Sequence, residues 1–145
     1  MLTWVIIVVA LAVLLSGFVQ LLPKGRQRHL QRLRDKARTE GLAVEWLRES
    51  QCVDQLEGCI AYRMPLERCP MSAEFSCRRG DDQAWVWLNG SIDSPSCAEV
   101  LQHLPEQVRG IERQSLSALV YWREPDDMAP LEQLVKALQP LRHSA

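Results

Sequence analysis

Five thiols, three imidazoles and two pairs of adjacent carboxylates are the side chains of this 145-residue chain that bear most directly on chemistry. Cys52, Cys59, Cys69, Cys77 and Cys97 are separated by six, nine, seven and nineteen residues, with no Cys-x-x-Cys pair. Structural zinc takes its ligands in short pairs from one turn or knuckle, so this spacing predicts no metal site. The thiols read instead as small apolar side chains. An odd set without paired spacing also fits a reducing compartment better than an exported domain. Cys77, followed by Arg78 and Arg79, is the thiol best placed for a lowered pKa. His29, His103 and His143 fall in three different parts of the chain, and none is near a cysteine in sequence. Asp81-Asp82 has the composition of a turn, while Asp126-Asp127 precedes a helical apolar repeat, where the helix dipole favours acids. No catalytic, cofactor-binding or metal-binding set follows from these residues. The chain reads as non-enzymatic, with no cofactor and no evident small-molecule substrate. The alternative is a membrane-tethered sensor or enzyme using a thiol or carboxylate site.

Binding chemistry is better represented. There are five Trp against two Phe and two Tyr, so indoles dominate the aromatic surface. In the strand-like run 84–88, Trp85 and Trp87 point to one side and Val86 and Leu88 to the other. If Val86 and Leu88 pack on helices, the two indoles stand exposed, with Trp122 joining from a neighbouring strand. Contiguous exposed aromatics mark contact surfaces, which makes Trp85, Trp87 and Trp122 candidate partner contacts. The opposite assignment puts the indoles in the core.

The elements that would carry these residues follow from periodicity. Strands are predicted over 42–47, 59–64, 73–78 and 84–88. A helix follows with Val100, Leu101, Leu104 and Val108 on its apolar face and Gly110 at its end. A further strand covers 117–122, and a last helix repeats Leu131, Leu134, Val135 and Leu138 before Pro140. Strands first and helices later predict an α+β domain over 42–145, a small antiparallel sheet packed with two or three helices.

Ahead of that domain the sequence changes character. Residues 2–22 contain no charge, and only Thr3, Ser16 and Gln20 are polar. As a helix this run extends about 31 Å, close to the hydrocarbon thickness of a bilayer, so 1–23 is expected to be a transmembrane helix. Residues 24–41 form a basic juxtamembrane helix carrying Lys24, Arg26, Arg28, Arg32, Arg34, Lys36 and Arg38 against the single acid Asp35. These seven cations are candidate membrane-surface contacts, because each basic group near an anionic leaflet contributes about 1 kcal/mol. Leu30, Leu33 and Ala37 lie at i, i+3 and i+7, a narrow apolar stripe, and Gly41 suits the helix end. A nucleic-acid arm is disfavoured, since no aromatics interleave the cations. From Thr39 on, ten basic residues face seventeen acidic ones, so the overall charge of −1 joins a cationic stem to an anionic domain. The positive-inside rule then places the C-terminal domain of this single-pass protein on the cytoplasmic side.

Leu21-Leu22-Pro23-Lys24-Gly25-Arg26-Gln27-Arg28 resembles the apolar helix, proline and basic, Gln-rich stretch of short single-pass proteobacterial inner-membrane proteins. In particular it is similar to YajC, the small accessory subunit of the preprotein translocase. The resemblance covers the first 40 residues and stops at Gly41, beyond which the Lys-Gly-Asp run of that subunit is absent. It implies an accessory, non-enzymatic membrane subunit. The sequence thus predicts a membrane accessory or scaffold protein whose partners are the lipid bilayer and a protein, a larger membrane complex, but no nucleic acid.

Overall fold

A computed structural model describes residues 1–21, 25–46, 56, 58–90 and 95–143, with side chains described at 1–17, 25–46, 56, 58–90 and 97–143. The order is helix α1 (Leu2–Leu21), helix α2 (Gly25–Thr39), strands β1 (Ala43–Glu45), β2 (Ile60–Pro65), β3 (Phe75–Arg79) and β4 (Trp85–Asn89), and helix α3 (Pro95–His103). Strands β5 (Val108–Gln114) and β6 (Ser117–Trp122) and helix α4 (Ala129–His143) complete it. The six strands form one antiparallel sheet in the order β1-β2-β6-β5-β3-β4. Among the described residues the chain is α+β, with four α-helices, a 3-10 turn at Met71–Ala73 and an antiparallel sheet.

One part of the expected architecture is corrected. Among the described residues, no helix is long and apolar enough to cross a membrane, contrary to the transmembrane helix expected over 1–23. The helix itself, α1, is present and apolar. Residues 22–24, including Lys24, lie outside the described residues.

The basic helix α2 is built into the domain. Leu33 and Ala37 are completely buried and belong to the same core cluster as the sheet, as their spacing predicts. The helix closes on a Schellman motif: the Leu42 N–H donates to the Ala37 carbonyl and the Gly41 N–H to that of Arg38. Gly41 takes φ +86°, which suits a residue without Cβ, and Leu42 then drops into the core. Arg34 donates twice to Glu124, both bonds at 2.7 Å, and the Tyr62 hydroxyl donates to the same carboxylate at 2.7 Å. This network raises the Arg34 pKa through its hydrogen bond with Glu124. The Tyr62 phenol is also raised, first by burial and then by Glu124.

Helices α2, α3 and α4 cover one face of the sheet. Its centre is Trp122, fully buried and edge-on to Tyr62 with ring centroids 5.2 Å apart. A smaller cluster on the other side joins Leu56, Cys59, Ala61, Leu119 and Tyr121. Strand β5 replaces the end of the helix expected to run through Val108 to Gly110. Pro105 disfavours helical geometry in the residue before it, and α3 stops at His103. Val108-Arg109-Gly110-Ile111 then pairs between β3 and β6. The last helix runs past Pro140 to His143.

Candidate functional site

The insertion of β5 between β3 and β6 brings three strand termini to one end of the sheet. Arg78 on β3 is opposite Gly110 on β5, so Arg79 and Arg109 meet one step beyond. The β5–β6 register shifts between Val108 and Gly110, leaving Arg109 as the extra residue of a bulge. Bulges re-aim side chains and are common beside functional sites. Arg123 follows the last residue of β6, and its N–H donates to the Gln107 carbonyl at 3.0 Å. Arg78, Arg79, Gly80, Asp81, Arg109 and Arg123 line one pocket of about 460 Å³.

The hairpin turn between β3 and β4 forms its rim. The Gly80 N–H donates to the Ala84 carbonyl at 2.7 Å, and the Ala84 N–H donates to the Asp82 carboxylate at 3.2 Å. The Arg79 guanidinium lies 4.7 Å from the Trp85 ring centroid, a cation–π contact. Burial lowers the Arg79 pKa and the like charge of Arg109 lowers it further, with Glu106 acting in the opposite direction. Cys59 lies beside the same cations: burial pushes its thiol up, while Arg123 and Arg109 act against that rise.

The sequence-predicted residues are distributed differently. Of the basic helix, Arg28 and Arg32 are exposed, and Arg26 is exposed with Asp126 3.7 Å away. Lys36 pairs with Glu132 at 2.6 Å, and Arg38 with Asp35 at 3.4 Å. Arg34 is spent on Glu124 and also lies over the Trp46 ring at 5.4 Å. Trp122 is a core residue. Trp85 and Trp87 are half-buried against the core, Trp87 near Phe75, while Val86 and Leu88 face outward.

Cys77 is not a lowered thiol. Burial, reinforced by Cys97, pushes it up to about 12, which outweighs its arginine neighbours in sequence. Cys97 is pushed up to about 11 by burial. Cys52 lies outside the described residues. His103 and His143 each bond through Nδ1 to a carbonyl one turn back in their own helices, those of Glu99 and Gln139. Among the described residues, no three His, Cys, Asp or Glu side chains gather in a way that would hold a metal ion.

In the sequence Arg78 and Arg79 stand out only as neighbours of Cys77, and Arg109 and Arg123 do not stand out at all. The available signal was one arginine pair ending a strand and single arginines flanking two others. It becomes readable only once β5 is recognised as a strand. Compared with protein-family models, curated proteins and solved structures, the chain has no significant match.

Proposed function

We propose that this chain is a non-enzymatic accessory protein that works at a lipid surface and holds a protein partner there. The observation that carries this reading is the state of α1. Every described side chain of this apolar helix is exposed, including Trp4, Ile6, Leu11 and Leu14. Isolated apolar side chains on a surface need no explanation, but a contiguous apolar surface of this extent requires cover from outside the chain. Lipid suits the neighbouring charge, because Arg26, Arg28 and Arg32 remain exposed on α2 and attract an anionic leaflet. The resemblance of the first 40 residues to YajC agrees with a partner in a larger membrane complex. A bacterial inner membrane with the domain on its cytoplasmic side is the corresponding location.

A non-enzymatic role is supported by the disposition of the reactive groups. Cys77 and Cys97 are buried with raised pKa values, and His103 and His143 are bonded to their own helices. The partner contact falls on edge strand β4, where Val86 and Leu88 are exposed beside the half-exposed rims of Trp85 and Trp87. Flotation of the full chain with vesicles of phosphatidylethanolamine and phosphatidylglycerol tests the lipid half. Purification in mild detergent tests the other. Flotation with a stoichiometric protein companion is expected. A chain that stays with the soluble fraction and elutes alone defeats the proposal.

A further inference from the structure

Several described arginines elsewhere in the chain find acceptors within it. Arg34 is held by Glu124 and Arg63 by Glu45. Arg113 donates to the carbonyls of Gln114, Ser117 and Glu67, and Arg142 to that of Glu40. The four arginines at the end of β3, β5 and β6 differ. Among the described residues, none of them has a salt-bridge partner within 4.0 Å, although Asp81 shares their pocket. The Nε atoms of Arg78 and Arg79 are buried and lack a hydrogen-bond acceptor; that of Arg63 also makes no hydrogen bond but has the Glu45 carboxylate 2.9 Å away. A buried donor left unmade is costly, and like charges opposite each other on paired strands repel. Arg109, the extra residue of the bulge, nevertheless lines the same pocket as Arg79. This arrangement has a physical rationale if an anion completes it.

We propose that the pocket lined by Arg78, Arg79, Arg109 and Arg123 binds a phosphate-type oxyanion. The guanidinium fork matches such oxygens with two parallel charge-assisted bonds. The Trp85 ring, 4.7 Å from the Arg79 guanidinium, holds that side chain by a cation–π contact. The volume of about 460 Å³ is more than one phosphate group fills and falls in the range of small-ligand sites, roughly 300–1,000 Å³. The ligand is therefore a phosphate group carried on something larger, either a free phosphorylated molecule or a lipid headgroup. This inference stands independently of the accessory role.

Calorimetric titration of the full chain in nonionic detergent with inorganic pyrophosphate tests it. Saturable binding is expected, weakened at least about tenfold in Arg109→Gln and in Arg123→Gln but not in Arg68→Gln, an exposed arginine outside the pocket. Without ligand, the melting temperature of Arg109→Gln stays unchanged or rises, because repulsion with Arg79 is relieved. If Arg109→Gln instead loses both its fold and its binding, Arg123→Gln, exposed beyond β6, decides. Competition by vesicles carrying phosphatidic acid assigns the phosphate to a headgroup, and lack of competition assigns it to a free molecule. The proposal is overturned by absence of saturable binding at millimolar pyrophosphate, by equal weakening in Arg68→Gln, or by citrate binding as tightly as pyrophosphate.

Discussion

Helix α1 is apolar on every side and its described side chains are all exposed, whereas α2 carries a run of cations and has Leu33 and Ala37 completely buried. The two helices are adjacent in sequence, and the sheet accepts the polar one. What admits α2 is the geometry of a few positions. Leu33 and Ala37 lie one turn apart on a single stripe, and Arg34 beside them reaches Glu124. An apolar stripe flanked by charges has a defined way to face a core, while a helix that is apolar all round has none. Hydrophobicity summed over a segment therefore says less about membership in this domain than the arrangement of three or four residues.

The contrast is most easily broken at Leu33. Leu33→Ala leaves a cavity between α2 and the sheet and is expected to cost about 2–5 kcal/mol, the range for large-to-small core changes. Urea unfolding of the full chain in detergent measures it. A loss under about 1 kcal/mol would mean that α2 only rests on the domain. Glu124→Gln tests the polar half of the same contact. It removes the charge that Arg34 and Tyr62 share and is expected to cost about 1–3 kcal/mol. Because Tyr62 is on β2, an effect of that size ties α2 to the sheet and not merely to the segment following β6.

The buried thiols give a third measure, read by pH. Cys77 is held at about 12 and Cys97 at about 11 in the folded chain, against an ordinary value of 9.0. Above pH 9.0 the unfolded chain releases these protons while the folded chain retains them, so the unfolded state binds fewer protons and stability falls as pH rises. Each thiol should contribute a loss of about 1 kcal/mol over the first pH unit of that window. Cys97→Ala should flatten the slope of the urea midpoint against pH in this range. An unchanged slope would show that Cys97 ionises freely in the folded state.

The unequal legibility of the two regions has physical causes. The α+β class, five of the six strands and the stripe on α2 were readable, because each rests on local alternation or helical spacing. β5 was not, since Val108 continues the helical repeat of Val100, Leu101 and Leu104, and Gly110 imitates a helix end. Only pairing on both sides with β3 and β6 makes a strand of that segment, and pairing is a non-local property. The arginine pocket was lost with it, because Arg79, Arg109 and Arg123 become neighbours only through that register. The indoles had two consistent assignments in sequence. Packing of Trp85 and Trp87 toward the helix-covered face chose between them. The membrane-crossing helix expected over 1–23 is the part of the architecture that the described residues contradict.

The smallest expected change in folding stability is also the sharpest test of the contrast. Leu11 on α1 is more than half exposed, so Leu11→Ala removes no contact within the domain. Its urea midpoint in detergent should stay within the ±0.5 kcal/mol or so typical of surface substitutions. The same variant should bind vesicles measurably less, because an apolar side chain taken into lipid contributes about 0.8 kcal/mol per methylene. The two readouts must separate. Vesicle binding that falls while stability holds means that α1 is covered from outside the chain. If stability falls as it does for Leu33→Ala, α1 packs on the domain in solution, and the difference between the two helices is one of degree. If neither moves, the cover on α1 is not lipid, and its occupant is the protein partner.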